Sequence, residues 1–164
     1  MILLITTLLF AWMAFKPGSS PIKTTTQKRA AETSVEDKVR TVASRFATNL
    51  VTFNFNTVNA DMERLRADTT ASFAGQNQPA LHGNLEQLKS TITSRRSVST
   101  GDVKGTSVTS LDKDTATVLV VVLQTFSNKD TKKTSAFHVL ELTLFNSNGW
   151  KVDKVDNPST ANTS

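Results

Sequence analysis

The chain has 164 residues and no cysteine, which excludes a disulfide framework and a thiolate nucleophile and leaves a hydrophobic core to carry stability. Its net charge of +5 is uneven: residues 1–33 carry +3 and residues 34–164 only +2. The folded part is therefore nearly balanced, and the excess does not mark a nucleic-acid surface.

Residues 1–15 hold no charged side chain, and Thr6 and Thr7 are the polar members of the run. At about 1.5 Å per residue such a helix spans roughly 22 Å, short of the ~30 Å hydrocarbon core. It reads either as the apolar region of a cleaved signal peptide or as the last two-thirds of a membrane anchor. No basic region precedes it, and Trp12 to Pro17 offers no small-x-small cleavage site, so the anchor is the favoured reading. Lys16, Lys23, Lys28 and Arg29 follow the run and would hold its C-terminal side inside by charge alone. An upstream start adding a basic segment is the expectation that reconciles length and charge.

Residues 16–33 mix Pro, Gly, Ser, Thr and Lys without apolar period and predict a flexible basic tether. Ser34-Val-Glu-Asp then reads as an N-cap with an acid at the third helical position. Behind it Val35, Val39, Val42, Phe46, Leu50 and Phe53 recur at spacings of four and three, one apolar stripe on a helix. Asn54-Phe55-Asn56 breaks it. A short helix follows over Thr57 to Arg66, with Val58, Met62 and Leu65 inward and Asp61, Glu63, Arg64 and Arg66 paired outward. Thr70 to Ser97 suggests helix again, made irregular in its first half by Pro79 and Gly83.

From Val98 the period changes to two. Strands are predicted over Val98–Ser110, Thr115–Phe126, Thr134–Asn146 and Gly149–Val155, with the aliphatic run Val118 to Leu123 as the central one. The connections are short and polar, and Asn148-Gly149 is the strongest turn signal. Helices followed by hairpin-linked strands predict an α+β domain over 34–157, three helices packed on a curved four-stranded antiparallel sheet. The tail, 158–164, is small and polar and reads as disordered.

This order resembles the Mce-associated membrane proteins. The residues that carry the likeness are Phe46-Ala47, Leu50, Thr52-Phe53-Asn54-Phe55, Asp61, Thr69-Thr70, Phe73, Ala116 to Val120 and Gly149 to Val155. Phenylalanine stands where the family carries aromatic hydroxyls, and Asn54 where it carries an acid. The resemblance implies a cone-shaped nuclear-transport-factor-2-like domain behind a single-pass anchor, held outside the cytoplasm at the cell membrane. It also implies a non-catalytic accessory subunit of a lipid- or sterol-importing system in actinobacteria, partnered by the bilayer and by transporter or envelope-complex subunits. Two alternatives share the fold: the bitopic scaffold subunit of a type IV secretion or conjugation system, and a SnoaL-type enzyme or small-ligand binder.

An enzyme of this shape needs a general base and a donor for a developing oxyanion. Tyrosine is absent, so the candidates are Asp61, His82, His138 and Glu141. His138 and Glu141 are an odd number apart in one strand and point to opposite faces. Asp61 with Arg64 reads as a surface helical pair and His82 as a loop residue. Two separated histidines without clustered acids match no metal-ligand pattern, and neither cofactor nor nucleic acid is expected. Arg95-Arg96 and Lys129 to Lys133 read as a solvated helix end and a charged hairpin tip. Trp150 reads as a core plug. Phe53 and Phe55, beside the expected cone mouth, are the candidate contacts for a partner or ligand.

Overall fold

The computed structural model describes residues 21–158. A long helix, α1 (Pro21–Val51), leads into a two-residue strand, β1 (Phe53–Asn54), and a short helix, α2 (Val58–Ala67). A 3-10 turn (Pro79–Leu81) and α3 (Leu85–Arg95) follow. Four long strands complete the chain: β2 (Val98–Leu111), β3 (Thr115–Ser127), β4 (Thr134–Asn146) and β5 (Trp150–Asp156). With β1 they form one antiparallel sheet of five strands in the order β1-β2-β3-β4-β5.

Three expectations are corrected here. Helix α1 begins at Pro21 rather than behind Ser34, so residues 21–33 are helical rather than a tether. Gln27-Lys-Arg-Ala-Ala-Glu32 are all strong helix formers, and proline is tolerated in a first turn. Second, Phe53 is not the end of the helical stripe. The helix stops at Val51, and Phe53 pairs with Ser99 as a fifth, edge strand. Third, the stripe buries Val39, Ala43, Phe46, Ala47 and Leu50, while Val42 is only partly covered. Small alanines bring the helix close to the sheet, and apolar period alone does not weigh them. The predicted anchor, 1–15, lies outside the described residues, and so does the tail beyond Pro158. Among the described residues no helix is long and apolar enough to cross a membrane.

The inner face of the sheet carries Ala116, Val118, Val120 and Val122 from β3, Leu140, Leu142 and Leu144 from β4, and Val152 and Val155 from β5, all buried. These meet α1 in the main core, where the rings of Phe46 and Phe73 pack edge to face at 5.6 Å. Breaks in register between Val103 and Gly105, Val108 and Ser110, and Thr143 and Leu144 add residues to one strand of a pair. Each such bulge bends its strand and increases the twist, which curls the sheet around α1. The open edge of β5 is covered: Val152 donates to the Asp68 carbonyl (2.8 Å) and accepts from the Thr70 N–H (2.9 Å). Buried Gln78 ties the irregular loop to the same strand, its Nε2 donating to the Phe73 carbonyl (3.3 Å) and its Oε1 accepting from the Val155 N–H (3.1 Å).

Where α1 ends, Gly101 of β2 lies against it. A Cβ there would sit 2.0 Å from Val51 Cγ2, and a β-branched side chain in a helix has little rotamer freedom with which to yield. Gly101→Ala is therefore expected to destabilise the fold by about 2 kcal/mol. Chemical denaturation checks this. Because the clash is with one methyl group, adding Val51→Ala should recover part of the loss, a positive coupling between neighbours.

Candidate functional site

The mouth of the curled sheet lies beyond the C-terminal end of α1. There Leu50, Val51, Phe53, Leu81, Leu88 and Leu140, with Ala80, enclose a cavity of about 200 Å³ that also reaches Gln124, His138 and Asn157. His138 and Leu140 share the inner parity of β4, and the register sets His138 opposite Val122, beside Gln124. Gln124 Nε2 donates to the buried Ser99 hydroxyl at 2.8 Å, which leaves its second N–H and its carbonyl oxygen without a side-chain partner beside the cavity. Glu141 lies on the other face, paired across the ladder with Leu119 and Asp156. The parity expected for His138 and Glu141 holds, and among the described residues no carboxylate lines the mouth. One imidazole and two amides can orient a small polar group, but the arrangement holds no carboxylate base with a separate oxyanion donor.

Phe53 and Phe55 both stand at this end of the molecule. Phe53 is buried in a second, smaller core with Val58, Met62 and Ile92, its ring meeting that of Phe126 edge to face at 6.5 Å. Phe55 is half-buried, its backbone N–H donates to the Ser97 carbonyl (3.0 Å), and the Arg96 guanidinium covers its ring at 5.0 Å. Of the two, Phe53 borders the cavity.

Asp61 does pair with Arg64, at 2.6 Å, but it is a buried side chain rather than an outward one. Its carboxylate accepts from the Asn54 N–H (2.8 Å) and the Thr57 hydroxyl (3.1 Å), locking the turn between β1 and α2. The helical period misplaced it because these donors lie outside the helix face that the period describes. A second buried carboxylate, Asp68, went unnoticed in the sequence. It accepts from Arg45 Nε with both oxygens, at 2.9 and 3.0 Å, and from Asn49 Nδ2 at 3.2 Å. The hydrogen bonds that Arg45 donates to Asp68 raise its already high pKa, against the opposing effect of its burial. Any stability this shift contributes is full below the ordinary guanidinium value and is lost only in strong alkali. Both acids are structural clamps.

His82 is an exposed residue in the left-handed region (φ 51°) closing the 3-10 turn. Trp150 is half-buried and packs against the rim of the main core rather than plugging its centre. No group of acids and histidines able to hold a metal ion occurs among the described residues.

The outer face of the sheet carries what the sequence reading did not single out. Phe137 is 67% exposed and Phe145 44%. Phe137 stands opposite Leu123, and Val139 opposite Val121, so an apolar strip crosses two strands. The alternation in β4 held the signal. Glu141 and Thr143 share the parity of Phe137 and Phe145, which marks that parity as the solvent side.

Three helices packed into a curled antiparallel meander, with a small cavity at the open end, define a nuclear-transport-factor-2-like cone. Solved structures share it. A periplasmic fragment of TraM superposes with a TM-score of 0.60 at 15% identity, covering 74% of this chain and 95% of that one. The periplasmic domain of DotI gives 0.58 at 17% identity, covering 71% and 90%. An IcmL-like type IV secretion system protein from Legionella pneumophila gives 0.51 at 11%, covering 73% and 89%. No family model and no curated protein matches the sequence.

Proposed function

We propose that the chain is an extracytoplasmic docking domain of a type IV secretion or conjugation assembly, acting by binding rather than by catalysis. The observation that carries this reading is the extent of the shared cone: the likeness takes in nearly the whole of two periplasmic domains. The exposed strip around Phe137 and Val139 supplies an outer surface for assembly, since aromatic residues dominate the energetics of protein contacts. An accessory role in Mce-type lipid import has weaker support. The residues behind that resemblance, Phe46, Phe73, Val118 and Val152 among them, are fully buried and report the fold rather than a partner. Catalysis at the mouth has less still, because the one titratable side chain among the residues lining it is His138.

The full chain, expressed in its native host and solubilised in mild detergent with residues 1–20 intact, is expected to co-purify with components of a secretion channel or its ATPase. Recovery with a permease and lipid-import subunits, or alone, would sink the secretion reading.

A further inference from the structure

The C-terminal end of α3 and the loop joining β3 to β4 are remote in sequence, yet the Lys129 N–H donates to the Arg95 carbonyl at 3.2 Å. That contact fuses two basic clusters into one. Arg95 and Arg96 come from the helix end, and Lys129, Lys132 and Lys133 from the loop, with Asp130 as the acid among them. All five cations are exposed, and among the described residues none of them is in an ion pair. Elsewhere Arg40 and Arg45 of α1 and Arg64 and Arg66 of α2 each meet a carboxylate.

The cluster is also held in shape. Asn128 Oδ1 accepts from the N–H groups of Asp130 (2.8 Å) and Thr131 (2.7 Å), and the Asn128 N–H donates to the Thr131 carbonyl at 3.2 Å. Arg96 is fixed in the left-handed region (φ 52°) with its guanidinium on Phe55. Five like charges on a preorganised frame repel one another, and an anionic partner relieves that repulsion without first having to order the loop.

Position and neighbours select the kind of partner. Helix α1 is about 46 Å long at 1.5 Å per residue, and the basic end lies with its C-terminus, where Phe55 bonds Ser97. Pro21, where α1 begins, lies at the opposite end of the helix from this patch. The ring that the cluster itself touches, that of Phe55, has Arg96 over it and offers a base no free face on that side. Phe137, 67% exposed on the outer face, lies about 10 Å along β4 from its first residue. A basic loop leading into a strand that bears an exposed aromatic offers a partner segment a charged and an apolar contact together.

We propose that this end of the cone binds an acidic segment of a partner protein, with an apolar side chain of that segment seated against Phe137. The proposal rests on the reading of the cone as a docking domain and names the surface and the chemistry that it recognises.

The test uses the full chain in nanodiscs of neutral lipid and a fluorescent twelve-residue peptide of Asp and Glu with one central Leu. Binding is followed by anisotropy at low and high salt. The triple change Arg95→Glu, Lys129→Glu, Lys132→Glu should weaken binding at least about tenfold, and high salt should do the same to the native chain. Phe137→Ser should weaken it by roughly threefold or more. The double change Lys38→Glu, Lys113→Glu, away from the patch, should alter it less than about twofold. Circular dichroism verifies that each variant is folded. Absence of peptide binding at low salt, or equal binding by the triple variant, overturns the proposal. So does tighter binding of an oligo-dT strand or of phosphatidylglycerol vesicles through the same residues. Loss of the peptide site with secretion components still co-purifying would refute this surface alone. Peptide binding that persists without those components would uphold the surface and refute the secretion reading.

Discussion

Phe46→Ala is expected to lower the unfolding free energy by about 4 kcal/mol, the largest effect of any single truncation in this domain. The ring has no solvent exposure, lies on the buried side of α1 and meets Phe73 edge to face. Its removal forfeits the transfer energy of the ring and leaves a cavity between α1 and the sheet. The walls resist collapse, because Val118, Val120 and Leu142 belong to strands locked in register. For a domain of this size the loss corresponds to a fall in melting temperature of roughly 12–16 °C. Phe46→Leu should recover more than half of it. Calorimetry on the two variants checks this, and a loss below about 1.5 kcal/mol for alanine would mean that α1 does not occupy the sheet's inner face.

The second large effect is at the clamp between α1 and the end of α2. Arg45→Ala is expected to cost about 2–3 kcal/mol, because it strands a buried carboxylate, Asp68, with Asn49 as its remaining side-chain donor. Asp68→Asn should cost less, about 1 kcal/mol, since the charge left behind belongs to Arg45, whose side chain is 55% exposed and open to water. The asymmetry is the informative outcome. Equal losses in urea denaturation would mean that the pair is fully solvated and that α2 is held by packing alone. By contrast, Glu86→Ala, at the exposed bridge to Arg66, should change stability by no more than about 0.5 kcal/mol.

Much of the architecture was legible because its signals are local. The alternation in Thr134–Asn146, the aliphatic run at Val118 and the turn at Asn148-Gly149 each depend on neighbours a few residues away, and the strands stand where those patterns predicted. The parity of His138 and Glu141 followed from the pleat alone. Misplaced features share one cause. Asp61 and Asp68 take their partners from other elements, Asn54 N–H for one and Arg45 for the other, and helical period carries no information about such donors. Phe53 lost its place in the stripe because two residues of strand pairing with β2 outweighed continuation of α1. Residues 21–33 differ for another reason: their helix propensity comes without an apolar stripe, so the sequence pattern predicts a tether where the chain is helical.

Composition and charge by themselves determined that the domain would be free of disulfides and carried by hydrophobic burial, with basic excess concentrated before residue 34. Local pattern determined the helices-then-strands order and the handful of turns. Only the tertiary structure decided which side chains meet. It set His138 and Gln124 at one mouth, buried Phe53, left Phe137 bare, and joined Arg95 to Lys129 across more than thirty residues of chain. The physical reason is the range of the forces. Propensity and amphipathic period act within a few turns of backbone, whereas a site is made by packing, which gathers residues according to sheet register and helix crossing.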